Sequence, residues 1–210
     1  MNLASRKSLQ IASDHLSQND PVLAPIIATS GLAEFLPHTD YYGALVNSII
    51  GQQLSVKAAA AIKQRFRSLF NGQLPKPQQI LAISVDELRA VGFSSAKANY
   101  VRDLAEHVID GRVSFDKLDS QSNEEIISEL TDVKGIGVWT VQMFLMFCMG
   151  RLDILATGDL GVRNGIQMLY GLPAAPSPQQ IIEISQQNHW HPYESVACWY
   201  VWRSLENSPA

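Results

Sequence analysis

The chain has 210 residues, 46% of them hydrophobic and 17% charged. That is apolar mass for one compact domain or two small lobes, and it excludes a disordered chain. The formal net charge of −4 argues against a protein that holds nucleic acid by a coat of lysine, and it does not exclude binding through backbone amides and a few well-placed cations.

Taken in order, the elements are helix after helix. "SVKAAAAIKQRFRSLFNG" opens at Ser55 and stops at Asn71 and Gly72. In "SVDELRAVG" Ser84 and Glu87 form a capping box and Gly92 is the stop, because a serine oxygen and a glutamate three residues on satisfy two orphan helix amides. "SSAKANYVRDLAEHVIDG" opens near Ser94 and stops at Gly111, and Ser122 with Glu125 caps "SNEEIISEL". The turn "DVKGIG" follows, then an apolar helix from Val138 to Met149 closed by Gly150. Asp159 precedes the helical "LGVRNGIQMLYG". Past the loop "GLPAAPS", Ser177 and Pro178 open "SPQQIIEISQQN", and His191 with Pro192 opens "PYESVACWYVWRSLE". Alternating strand patterns are nearly absent, so the expected class is all-α.

Cys148 and Cys198 sit in apolar runs without metal-ligand spacing and are read as buried thiols. The start "MNLASRKSLQ" has neither an apolar core nor a cleavage site, and no apolar run approaches the roughly 20 residues of a membrane span. The expected setting is the cytoplasm (nucleoid) in a bacterium or the nucleus in a eukaryote, with no membrane partner.

Gly135 and Gly137 stand out, since glycine costs about 1 kcal/mol against alanine inside a helix. In a turn, glycine permits positive φ and close approach by another backbone. The amides of Gly135, Gly137 and Val138 would then face outward at a helix start, a site for a phosphate. A plain helix-helix turn with a glycine cap is the alternative. Asp159 has two readings as well: an N-cap of the following helix, or a carboxylate placed for chemistry.

The stretch "LTDVKGIGVWTVQMF", with Asp159 downstream in "ILATGDLGVRNG", resembles the helix-hairpin-helix motif of the HhH-GPD DNA glycosylase superfamily. "SIIGQQLSVKAA", "GFSSAKANYVRDLA" and "HWHPYESVACWYVWRSLE" resemble further signature stretches, so the likeness runs from about Tyr41 to Leu205. The alkylbase, or 3-methyladenine, branch is the nearest in pattern. The resemblance implies two helical lobes flanking an active-site cleft: one over 41–151 bearing the hairpin, the other from 1–40 plus 152–210. It implies Asp159 as the catalytic carboxylate, with Asp153 the weaker candidate. Trp139, Met143 and Trp202 would wall the base pocket, Met143 replacing a tyrosine of some relatives. DNA would be held by Gln53, Leu54, Ser55, Lys134, Gly135, Gly137 and Val138, Gln53 filling the gap left by a flipped nucleotide and Lys134 facing phosphate or solvent. Carbonyls of Thr131, Val133 and Ile136 would hold a structural Na⁺ or K⁺.

Bifunctional relatives carry a lysine nucleophile where this chain has Trp139, so the resemblance implies a monofunctional enzyme without lyase activity. An iron–sulfur cluster needs four cysteines, and the chain has two; no cofactor is expected to be required. The expected partner is double-stranded DNA with damaged bases, and the expected state a monomer. The expected substrates are alkylated purines such as 3-methyladenine and 7-methylguanine. A glycosylase for deaminated, oxidised or mismatched bases, or a non-catalytic DNA-binding module, are the alternatives.

Overall fold

The structure is a computed structural model that describes residues 3–206. Its helices are α1 (Arg6–Asn19), α2 (Ala24–Ser30), α3 (Tyr41–Gly51), α4 (Val56–Ser68), α5 (Pro77–Ala82), α6 (Val85–Ala90), α7 (Ser95–Ile109), α8 (Asn123–Thr131), α9 (Val138–Met143), α10 (Leu160–Leu169), α11 (Pro178–Gln187) and α12 (Glu194–Glu206). A 3₁₀ helix spans Phe115–Ser120 and a π-helical turn spans Phe144–Cys148. The extended pairing among the described residues is a single bridge from Leu3 to Arg151. The all-α class follows, and among the described residues no helix is long and apolar enough to cross a membrane.

The caps account for most of the boundaries. Ser84, Ser122 and Ser177 each make the capping box with the residue three places on, and Ser55 and Ser94 cap α4 and α7. The apolar run after the hairpin does not continue as one α-helix to Met149. It widens into the π turn at Phe144, and single π turns of this kind re-aim the residues they carry.

The chain divides into two compact units, residues 40–144 and residues 1–39 with 145–210. The division after residue 144 falls earlier than the expected 151. Within the second of these units, Ala4 N donates to Gly150 O at 2.7 Å, and His38 N donates to Cys148 O at 2.9 Å. These bonds tie 148–150 to the N-terminal segment.

In the central unit, α3 contributes Leu45, Val46, Ile49 and Ile50 to a dry core and packs on α4 and α7. In the other unit α12 packs on α1, α2 and α10. Gly165 admits this approach, since a Cβ there would lie 2.5 Å from Val201 Cγ1. The fully buried Asp20 accepts from the amides of Val22 and Leu23, from Tyr170 Oη and from Trp190 Nε1. Four donors offset the cost of burying that carboxylate. Cys148 and Cys198 are both buried, and Cys148 Sγ donates to His38 O at 3.5 Å.

Candidate functional site

The hairpin is built from its caps and its two buried apolar residues. Helix α8 ends at Asp132, and the turn is closed by Val133 N donating to Leu130 O and Ile136 N to Val133 O. Val133 and Ile136 are buried beneath it. The two glycines do different work. Gly135 has φ +83°, and a Cβ there would lie 2.2 Å from Tyr100 Cδ2, so conformation and the Tyr100 ring both require glycine. Gly137, the N-cap of α9, has φ −95° and ψ 169°, with nothing within 4 Å of an added Cβ. Nothing inside the chain requires it. Among the described residues, the amides of Gly135, Gly137 and Val138 donate to no other group of the chain, which is the condition for an anion-accepting turn.

The "GQQLS" loop is strapped to this turn. Gln52 Nε2 donates to Gly135 O at 2.8 Å. Lys97 Nζ donates to Ile50 O at 2.8 Å and to Gln52 O at 2.5 Å, and burial lowers the pKa of this ammonium. Gln53 is thereby held at the tip, exposed, in the left-handed region at φ +55°, a conformation uncommon for a residue with a side chain. Leu54 beside it is also exposed, and Ser55 Oγ accepts from Ala58 N. A groove of about 440 Å³ runs along Gln52, Gln53, Lys97, Tyr100, Gly135 and Trp139. Trp139 is 49% exposed, whereas Met143, one turn on, is half-buried.

Lys134 is exposed at its side chain, with 77% of it open to solvent. Its backbone N–H donates to Asp103 Oδ2 at 2.9 Å and its ammonium lies 3.3 Å from Asp103 Oδ1. Burial pushes the Asp103 carboxyl up, but the Lys134 hydrogen bonds, His107 and the Lys134 charge together bring it below its ordinary value. The carbonyls of Thr131 and Ile136 accept no hydrogen bond among the described residues, and that of Val133 accepts one. Neutral oxygens with free lone pairs suit a hard monovalent cation.

Asp159 lies in the other unit. It is the N-cap of α10, 9% exposed, and two donors converge on Oδ1: Val162 N at 2.7 Å and Trp202 Nε1 at 2.8 Å. Both readings of this aspartate, cap and placed carboxylate, meet in one geometry. Gly161 makes room for the indole, because a Cβ there would lie 2.8 Å from Trp202 Cδ1 and 3.1 Å from Asp159 Oδ1. Trp202 was expected as a pocket wall; its edge also positions the carboxylate. Its face stacks on Phe147 at 5.9 Å, and Phe147 stacks on Phe35 at 5.4 Å. Phe147 rides on the π turn. Asp153 leaves Oδ1 buried without a hydrogen-bond partner. Burial pushes the nearby Cys198 thiol up to about 12, the Asp159 charge adding to the shift, so this sulfur stays protonated and unreactive.

The structure brings Asp159 together with Trp202, and Gln53 together with Gly135 and Trp139. Sequence reasoning missed Gln52, Lys97, Tyr100, Gly161, Phe35 and Phe147. For Lys97 a signal existed: a lone lysine one turn into the capped helix that opens at Ser94.

The profile of the HhH-GPD superfamily base excision DNA repair proteins matches residues 46–189. The chain belongs to this family. It is 35% identical to DNA-3-methyladenine glycosylase 1 of Schizosaccharomyces pombe, over 94% of this chain and 88% of that protein. The solved structure of the S. pombe 3-methyladenine DNA glycosylase in complex with abasic DNA superposes with a TM-score of 0.80 at 34% identity, covering 94% of this chain and 97% of that one. A DNA-3-methyladenine glycosidase from Bacillus halodurans gives a TM-score of 0.85 at 38% identity, covering 93% and 89%. In this HhH-GPD protein the family match takes in the hairpin and Asp159, while Trp202 lies beyond it.

Proposed function

We propose that this HhH-GPD protein is a monofunctional DNA glycosylase that removes alkylated purines, such as 3-methyladenine and 7-methylguanine, from double-stranded DNA and so begins base excision repair. The observation that carries the reading is the buried Asp159 carboxylate, fixed through Oδ1 by Val162 N and Trp202 Nε1 beside the stacked Phe35, Phe147 and Trp202 rings.

Breaking an N-glycosidic bond builds positive charge on the deoxyribose. A carboxylate held in place stabilises that charge without reorganising, and it takes a proton from the water that attacks C1′. An alkylated purine is cationic before the bond breaks. It leaves as a neutral base with the bonding electron pair, so no strong general acid is needed. Extracted from the duplex, such a base would lie on an aromatic face by cation–π attraction worth about 0.5–2 kcal/mol. Trp202, which is hydrogen-bonded to Asp159, is the candidate to provide that face.

In this reading the amides of Gly135, Gly137 and Val138 hold a phosphate, and Gln53, with Leu54 beside it, fills the gap in the stack. Ser55 keeps the loop joined to α4. The Thr131, Val133 and Ile136 carbonyls would bind Na⁺ or K⁺, which would add positive charge toward the same phosphate. The position of the relatives' lysine nucleophile is held here by Trp139, which has no amine, and Lys134 Nζ lies 3.3 Å from Asp103 Oδ1. The strand therefore stays intact, with an abasic sugar.

The test is release of free base from duplex oligonucleotides that each carry one defined lesion. Alkylated purines are expected to be released, with strand cleavage only after alkali and no protein trapped on DNA by borohydride. Faster release of deaminated or oxidised bases would overturn the substrate class. Lesion-dependent trapping abolished by Lys134→Gln would overturn the monofunctional assignment, and binding without release of any base would leave only a DNA-binding module.

A further inference from the structure

From residue 41 to residue 85 the sequence contains Lys57, Lys63, Arg65, Arg67 and Lys76 and no aspartate or glutamate, although acids outnumber bases, 20 to 16, in the whole chain. Four of those cations are on α4. Arg65 is used internally, donating through Nε to Val91 O. Lys57, Lys63 and Arg67 are not: among the described residues none of them meets a carboxylate or donates to another group.

Two of these three cations, Lys57 and Lys63, work against the protein's own stability, while Arg67 sits in the last turn of α4, where the helix dipole favours it. Lys57 is at the second helical position of α4, where the helix dipole disfavours a cation by about 0.3–1 kcal/mol. Burial and the neighbouring Arg67 both lower the pKa of Lys63. Uncompensated charge of one sign, kept on one helix of an acidic chain, suits a polyanion outside it.

The shape agrees. A groove of about 320 Å³ starts at Gly51 and Leu54, on the loop that carries Gln53, and reaches Ala60 and Lys63. A second, of about 530 Å³, continues from Ala60 and Lys63 to Arg67 and Gly72. The small side chain of Ala60 is the floor they share. From Lys57 to Arg67 the helix rises about 15 Å, a length over which one DNA strand presents about four phosphates.

We propose that this face of α4 is a second DNA-backbone surface, on which Lys63 and Arg67, with Lys57, hold phosphates of the duplex flanking the nucleotide engaged by the Gln53 loop. It rests on the reading of the protein as a DNA glycosylase. Its contacts are to phosphate, so it carries no sequence or lesion preference.

The experiment is the salt dependence of binding to an undamaged duplex by wild type, by the Lys63→Gln/Arg67→Gln double variant, and by Lys117→Gln as an exposed control on the 3₁₀ helix. The double variant is expected to lower the slope of log K against log salt by about 2, with equal weakening on damaged and undamaged duplexes and no loss of thermal stability. The control keeps the wild-type slope. An unchanged slope in the double variant overturns the proposal, and so does an unchanged slope accompanied by lost binding to polyglutamate, which would assign the face to an acidic protein. Free-base release by wild type is measured alongside. Release with an unchanged slope refutes the α4 surface alone, whereas a changed slope without release refutes the catalytic reading alone.

Discussion

At Asp159 two donors, Val162 N at 2.7 Å and Trp202 Nε1 at 2.8 Å, converge on one buried carboxylate oxygen, whereas at the hairpin the amides of Gly135, Gly137 and Val138 are left without an acceptor among the described residues. The first region spends its hydrogen bonds on holding a side chain still. The second withholds its hydrogen bonds from the fold. The difference follows from what each must do: a group that stabilises developing charge has to be in place before the reaction, while a group that takes up a phosphate has to be unpaired until DNA arrives. The same contrast separates the two hairpin glycines, one required by Tyr100 and a positive φ, the other by nothing within the molecule.

The largest effect should come from Asp159→Asn, which keeps an oxygen for Val162 and Trp202 but removes the charge. Base release is expected to fall by about 10²–10³-fold or more, with DNA binding retained or tightened; near wild-type excision would show that Asp159 is only a helix cap. Next come the glycines. Gly135→Ala should lower stability by about 1–3 kcal/mol, because it strains φ and drives Cβ into the Tyr100 ring. Gly137→Ala should unfold at the wild-type temperature and bind every duplex more weakly, whatever its sequence. Equal stability loss in the two variants would erase the distinction between them, and unchanged DNA binding by Gly137→Ala would make the hairpin an ordinary turn.

Trp202→Phe keeps an aromatic ring on Phe147 but removes the N–H donated to Asp159. A drop in base release of about tenfold is expected, corresponding to one hydrogen bond to a charged group, with KM less affected than kcat. A pure KM effect would make Trp202 a pocket wall and nothing more. The smallest effect concerns Asp103. Its folded pKa is held below the ordinary value, so its ionised form contributes stability above about pH 4 that is lost as pH falls through the folded value. Asp103→Asn should flatten the acid side of a stability-against-pH curve by less than about 1 kcal/mol, and an unaltered curve would show that Lys134 gains nothing from this carboxylate.

The sequence by itself determined the features that depend on residues close together in the chain. Ser84 with Glu87 and Ser122 with Glu125 form their boxes as expected, because a cap is a contact over three residues and needs no tertiary partner. Asp159 as N-cap and the order of the family motifs were legible for the same reason. The break of the run 138–149 into α9 and a π turn was not legible, since an unbroken apolar pattern is equally compatible with both ladders. Nor were the bonds from Ala4 and His38 to the Gly150 and Cys148 carbonyls, which join the N-terminal segment to the residues after the π turn. Tertiary structure alone placed Trp202 Nε1 on Asp159, Gln52 on Gly135 and Lys97 on the Ile50 and Gln52 carbonyls. Each joins segments far apart in sequence through one polar atom, and no periodicity records such a pairing, because it exists only once the helices have packed and brought donor and acceptor within reach.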